Sequence, residues 1–182
     1  MDDRPIGILD SGVGGLSVWE DIAKELPHES LIYIGDSANC PYGNKPVDLV
    51  YKLGRRLVTF LLSKDVKLIV VACNSITVSS IDKLRSEFPN IPIVGSAPVV
   101  KTAAAKTKNE RIGILSTGVT SSSDYQRRLI QTFARGMKVV NNGSNKLVPL
   151  VEEGITEGEI AEAILKEELQ PFIRFDVDVL AL

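Results

Sequence analysis

The sequence is poor in the residues that build metal centres and disulfide frameworks: 182 residues hold two cysteines, Cys40 and Cys73, one histidine, His28, and one tryptophan. Two thiols and an imidazole scattered along the chain make neither a disulfide scaffold nor a zinc site, so no metal is expected. His28, between Pro27 and Glu29, reads as a solvated turn residue. Charge of one sign is also lacking. The net charge is −2, with Lys and Glu interspersed, which leaves no basic stripe for nucleic acid and no acidic tail. No apolar run approaches the roughly 20 residues needed to cross a bilayer. The opening Met1-Asp2-Asp3-Arg4-Pro5 has neither the basic nor the apolar region of a signal peptide. These absences exclude nucleic-acid and membrane partners and predict a cytoplasmic protein that handles a small molecule. On the same grounds Asn142-Gly143-Ser144, which matches a glycosylation acceptor, is expected to be only a turn.

What the chain does have is 44% hydrophobic residues, enough to bury a real core, and they fall in short runs. Val66-Lys67-Leu68-Ile69-Val70-Val71-Ala72 leads straight into Cys73-Asn74-Ser75. Such a run predicts a strand apolar on both faces, at home in a parallel sheet covered by helices on both sides, whose ligands sit beyond the carboxyl ends of the strands. A buried cysteine commonly packs as a small hydrophobe, but Cys73 lies where chemistry occurs in such sheets.

The same grammar recurs. Ile6-Gly7-Ile8-Leu9 predicts a strand, Asp10-Ser11-Gly12-Val13-Gly14-Gly15 a glycine-rich turn, and Leu16 to Leu26 a helix stopped by Pro27. A turn of this kind presents backbone N–H groups to an anionic group at a helix start. It lacks the third glycine of a dinucleotide fingerprint and the Gly-Lys-Ser/Thr of a Walker loop, which disfavours a nucleotide-binding module. Leu31 to Gly35 is a second strand, ending in Asp36-Ser37-Ala38-Asn39-Cys40-Pro41-Tyr42-Gly43. Pro46 to Ser63 is a helix with Leu49, Leu53, Leu57 and Phe60 as its core face, Thr77 to Phe88 another helix, and Ile91 to Gly95 a fourth strand. Cys40 is read as packing.

After a helix end or linker over Lys101 to Glu110 the chain repeats itself. Ile112-Gly113-Ile114-Leu115-Ser116-Thr117-Gly118-Val119 keeps six residues of Ile6-Gly7-Ile8-Leu9-Asp10-Ser11-Gly12-Val13. A helix from Tyr125 to about Arg135 capped by Thr120 to Asp124, a strand Lys138 to Asn141, a loop Val148 to Gly154, a helix Glu157 to Leu169 and a strand begun at Asp176 complete the reading. The fold predicted is α/β: two similar doubly wound parallel lobes, residues 1–97 carrying Cys73 and residues 98–182 forming a second lobe cut short at its C-terminal end, with the ligand in the cleft between them.

Asp10 to Leu16, Gly35 to Gly43, Val71 to Ser75 and Val148 to Gly154 resemble, in order and spacing, the motifs of the glutamate racemases within the aspartate/glutamate racemase family. The resemblance runs from Ile6 to Leu182. It implies a cofactor-independent isomerase that interconverts L- and D-glutamate by proton transfer at the α-carbon, supplying D-glutamate for peptidoglycan, and a homodimer is compatible with it. By resemblance Cys73, Asp10 and Glu152 are catalytic, Cys73 as an acid/base thiol lowered in pKa by its strand-to-helix turn. Asp10, Ser11, Pro41, Tyr42, Gly43, Cys73, Asn74, Ser75, Thr117 and Thr120 bind substrate, and Glu152 orients a histidine of the opposite half-site. Ser75-Ile76 replaces the family's threonine and small residue, and Asn145-Lys146 a cysteine-bearing segment. The family's Gly-Cys-Thr-His motif is absent. Aligning Asp176 to Leu182 with Asp65 to Val71 places the matching cysteine two positions beyond Leu182, so the expectation is an inactive fragment of a longer racemase. The alternatives are a catalytically dead amino-acid-binding or regulatory relative, and an aspartate racemase.

Overall fold

The computed structural model describes residues 2–97 and 99–182; Pro98, where the second lobe was expected to begin, lies outside them. The chain divides into two compact units, Met1–Ala97 and Pro98–Leu182.

In the first unit β1 (Ile6–Asp10), α1 (Leu16–Glu25), β2 (Leu31–Gly35), α2 (Val47–Leu62), β3 (Leu68–Val71), α3 (Asn74–Glu87) and β4 (Ile93–Gly95) follow in order, with one 3-10 turn at Ser37–Asn39. The strands form a parallel sheet in the order β2-β1-β3-β4. Each parallel step needs a crossover, which the intervening helices provide. All five residues of β1 are buried, as befits a central strand. In β3, by contrast, Ile69 and Val71 are buried while Leu68 and Val70 are only half-buried; the strand expected to be apolar on two covered faces is fully covered on one.

The core lies between the sheet and α2 with α3. The face of α2 that enters it is Val50, Leu53, Gly54, Leu57, Val58 and Leu61. Leu49 and Phe60, expected on that face, are 42% and 43% exposed. The error is one of phase: Leu53 and Leu57 belong to either stripe, and the choice between the flanking positions falls to Gly7. A methyl group on Gly7 would lie 2.9 Å from Leu61 Cδ1 and 3.2 Å from Val66 Cγ1. Leu61 therefore packs straight onto the backbone of β1.

The second unit holds α4 (Val100–Lys106), β5 (Arg111–Ser116), α5 (Gly118–Ser122), α6 (Asp124–Phe133), β6 (Lys138–Gly143), α7 (Leu147–Glu152), α8 (Glu159–Arg174) and β7 (Val179–Ala181). Its parallel sheet runs β6-β5-β7. The repeat is structural as well as sequential: Ile6 pairs with Leu68 and Ile112 with Val179, and Asp65 and Asp176 share φ 54 ahead of their strands. A Cβ on Gly113 would lie 2.5 Å from Phe172 Cδ1, so Phe172 of α8 presses on β5 as Leu61 presses on β1.

Five local expectations are corrected. α3 starts at Asn74, three residues early. Thr120 to Ser122 belong to α5, and Ser123 alone caps α6, its hydroxyl accepting from Gln126 N. Val148 to Gly154 is mostly the helix α7, with Pro149 in its first turn, where a missing N–H costs nothing. α8 runs on through Pro171 to Arg174. Asn142 and Gly143 lie in β6 rather than in a turn. No described helix is long and apolar enough to cross a membrane.

Deleting a fully buried leucine side chain costs about 2–5 kcal/mol. Leu61→Ala should therefore lower the unfolding midpoint sharply in urea, followed by circular dichroism. Phe60→Ala, on the solvent side of the same turn, should cost under about 1 kcal/mol. Equal losses would show that the helix is packed in the other phase.

Candidate active site

The register of the first sheet assembles the site. Leu9 stands beside Val71, so two residues further along each strand Ser11 and Cys73 leave the carboxyl edge together. Cys73 has extended backbone, φ −78 and ψ 115, and is the N-cap of α3. Its Sγ–H donates to Ser11 Oγ at 3.4 Å, and only 5% of the residue is exposed.

Asp10 is buried at the end of β1, its Oδ2 accepting from Gly12 N at 3.0 Å. The turn that follows is fastened to β2: Asp36 N donates to Asp10 O at 3.1 Å and Tyr33 Oη donates to Gly12 O at 2.7 Å. Asn74 and Ser75 open α3 on the same rim. Ser96 Oγ lies 3.0 Å from Ala72 O and 3.1 Å from Asn74 Oδ1, sharing its one proton between them.

Beyond β2 the Cys40–Pro41 peptide is cis and leads to Tyr42, which is 1% exposed, and buried Gly43. Tyr42 Oη donates to Asp36 Oδ2 at 2.6 Å, while Asn39 Nδ2 donates to both carboxylate oxygens, at 2.9 Å to Oδ1 and 3.0 Å to Oδ2. Burial first and the Asp36 acceptor second push the phenol above its ordinary range. Tyr42 is thus a fixed donor and core residue, not a base.

The first unit thereby brings together Asp10, Ser11, Cys73, Asn74 and Ser75, with the Pro41 to Gly43 segment at the end of the neighbouring strand. Tyr33, Asp36 and Ser96, which hold these groups, were not singled out from the sequence. Asp36 and Ser96 carried a signal, each as the first polar residue after a strand. In the second unit Thr117 caps α5; its Oγ1 accepts from Thr120 N at 3.4 Å and donates to Thr120 Oγ1 at 3.2 Å. Thr120 is fully buried and Glu152, the last residue of α7, half-buried.

The acidity of Cys73 runs opposite to expectation. A helix N-terminus lowers a thiol pKa, yet here burial pushes it up to about 11 and the Asp10 charge adds to the rise, against weaker opposition from the Ser11 hydroxyl and the N–H groups of Ile76 and Ser11. Desolvation of the thiolate outweighs the donors that favour it.

The Asp/Glu/Hydantoin racemase family matches residues 6–182. Glutamate racemase of Streptococcus uberis is 42% identical over 183 residues, 100% of this chain and 69% of that protein. A glutamate racemase isoform from Bacillus anthracis superposes with a TM-score of 0.88 at 33% identity, over 99% of this chain and 68% of its own. Glutamate racemase of Escherichia coli, in complex with L-glutamate and the activator UDP-MurNAc-ala, does so with a TM-score of 0.88 at 34% identity, over 98% and 68%. Two parallel α/β lobes with these likenesses define an isomerase of the racemase class. The chain belongs to the Asp/Glu/Hydantoin racemase family.

An unperturbed cysteine ionises near pH 8.5. With the folded pKa raised to about 11, alkylation of Cys73 by iodoacetamide should climb about tenfold per pH unit from pH 7 to 10. The unfolded chain should level off near pH 9. The sign for stability follows: a neutral thiol in the fold contributes fully below the unfolded pKa, and that contribution is lost as pH rises from about 9 towards 11. A plateau below pH 9 in the folded chain would show that the helix N-terminus prevails over burial.

Proposed function

We propose that this chain serves the interconversion of L- and D-glutamate by cofactor-independent proton transfer at the α-carbon, in the cytoplasm, with the D-isomer destined for peptidoglycan. The observation that carries the reading is the buried Cys73 thiol bonded to Ser11 beside the Asp10 carboxylate. The glutamate racemases of Streptococcus uberis and Escherichia coli support the substrate, and the muramyl nucleotide bound to the latter supports the cell-wall role.

The site suits a zwitterionic amino acid. Asp10 takes the substrate ammonium, while the Asn74 amide, the Ser11 and Ser75 hydroxyls and the backbone N–H groups of Tyr42 and Gly43, set in place by Pro41, take a carboxylate. Cys73 as thiolate removes the α-proton and becomes the thiol; the carbanion is protonated on its other face by a second acid, which inverts the centre.

The raised thiol fits this chemistry once the substrate is considered. One of its two causes is the charge of Asp10, which a bound ammonium neutralises while adding a positive charge beside the sulfur. Both effects favour the thiolate. The base is generated when there is a proton to remove.

The test is to incubate the chain with each glutamate enantiomer in deuterated water and follow the α-proton by NMR and the handedness by circular dichroism. These residues contribute one suitably placed thiol, so the expected result is exchange of one enantiomer with its configuration kept, abolished by Cys73→Ala. Exchange that survives Cys73→Ala, or none by either enantiomer, would overturn the assignment of Cys73.

A further inference from the structure

We propose that Tyr33 is a positioning residue for this site: its hydroxyl, through the Gly12 peptide, locks the Asp10 to Gly12 turn onto the end of β2 and so keeps the Ser11 hydroxyl on the Cys73 thiol. The inference rests on reading Cys73 as the working thiol.

Gly12 is gripped through both of its peptide groups. Its N–H donates to Asp10 Oδ2 at 3.0 Å and its carbonyl accepts from Tyr33 Oη at 2.7 Å. Gly12 is buried, so that carbonyl has little access to water in exchange for the phenol, and a buried carbonyl stripped of its donor is costly to leave in place. The packing leaves no slack. A methyl group on Gly35 would lie 2.3 Å from Gly12 O; one on Gly15 would lie 2.7 Å from Asp10 Cβ and 3.0 Å from Tyr33 Oη. Two glycines thus let the turn seat against β2 at the one height where the phenol reaches it. Asp36 N, bonded to Asp10 O at 3.1 Å, fixes the entry of the turn, and Tyr33 fixes its exit. Ser11 lies between these two anchors, and its Oγ is the acceptor 3.4 Å from Cys73 Sγ. Removing the Tyr33 hydroxyl frees the Gly12 carbonyl to rotate outward, and the Ser11 side chain turns with it.

The Ser11 hydroxyl accepts from the neutral thiol and turns to donate to the thiolate, which places it among the groups that oppose the rise of the Cys73 pKa, so its displacement leaves the thiol harder to ionise. In the 182-residue chain, iodoacetamide rates at Cys73 should be measured by peptide mass spectrometry from pH 7 to 10.5, with Cys40 as internal reference. The chains compared are the parent, Tyr33→Phe, Ser11→Ala and the double variant. Tyr33→Phe is expected to slow Cys73 about three- to tenfold at pH 8 by moving its profile to higher pH, since rate follows thiolate fraction. Ser11→Ala should act similarly, and the double variant no further than Ser11→Ala alone, because the two act on one bond. Cys40 should be unchanged.

Profiles that superimpose, or effects of Tyr33→Phe and Ser11→Ala that multiply, would overturn the proposal. So would faster labelling of both thiols, since a loosened fold exposes cysteines and returns them towards their ordinary acidity. Protection of Cys73 by L- or D-glutamate in the parent chain tests the underlying site by a separate readout. Its loss would remove the substrate reading while leaving the coupling between Tyr33 and Ser11 to stand or fall by the rates.

Discussion

The geometry of both units depends on a helix side chain pressed against a strand at a residue that has no side chain of its own. Leu61 meets β1 at Gly7 and Phe172 meets β5 at Gly113. Each contact is followed four residues later by an aspartate in the left-handed region, Asp65 or Asp176, which turns the chain back alongside the strand just packed. Register then follows: Ile6 beside Leu68, Ile112 beside Val179. A slip of one residue would exchange the faces of β3. It would also carry Cys73 away from Ser11, because the two meet only through the pairing of Leu9 with Val71. Core packing at the bottom of the sheet and chemistry at its top are two ends of one alignment.

At the top, opposing forces meet on the sulfur. The N-terminus of α3 and the Ser11 hydroxyl favour a thiolate; burial and the Asp10 carboxylate oppose it and prevail. Burying a charge costs more than a few dipoles return. Asp10 is kept in this unfavourable place by Gly12 N and by the fastening of its turn to β2. A carboxylate held so firmly beside a thiol is poised for a cation.

The repeat, the parallel lobes and the strand-end position of Cys73 were legible because each is written in local pattern. Ile-Gly-Ile-Leu at both strand starts carried the duplication, and alternation of apolar runs with helical segments carried the class. The phase of α2 was not legible, since Leu49 and Phe60 are as apolar as Val50 and Leu61 and only the bare backbone of Gly7 chooses between them. The start of α3 was hidden because Asn74 and Ser75 are poor helix formers and Cys73 gives no capping signal. α7 is too short for periodicity to show. Within the site, Asp10, Ser11 and Cys73 could be read from their positions after strands. The roles of Tyr33 and Ser96 could not, because a contact from a neighbouring strand exists only once register is known.

The burial of Cys73 also bears on its survival. Peroxides attack thiolates far faster than thiols, and they must reach the sulfur to do so. A cysteine 5% exposed and protonated up to about pH 11 offers neither the anion nor the approach. Oxidation to sulfenic acid is thereby slowed, so the burial that makes this thiol hard to ionise also shelters it from damage.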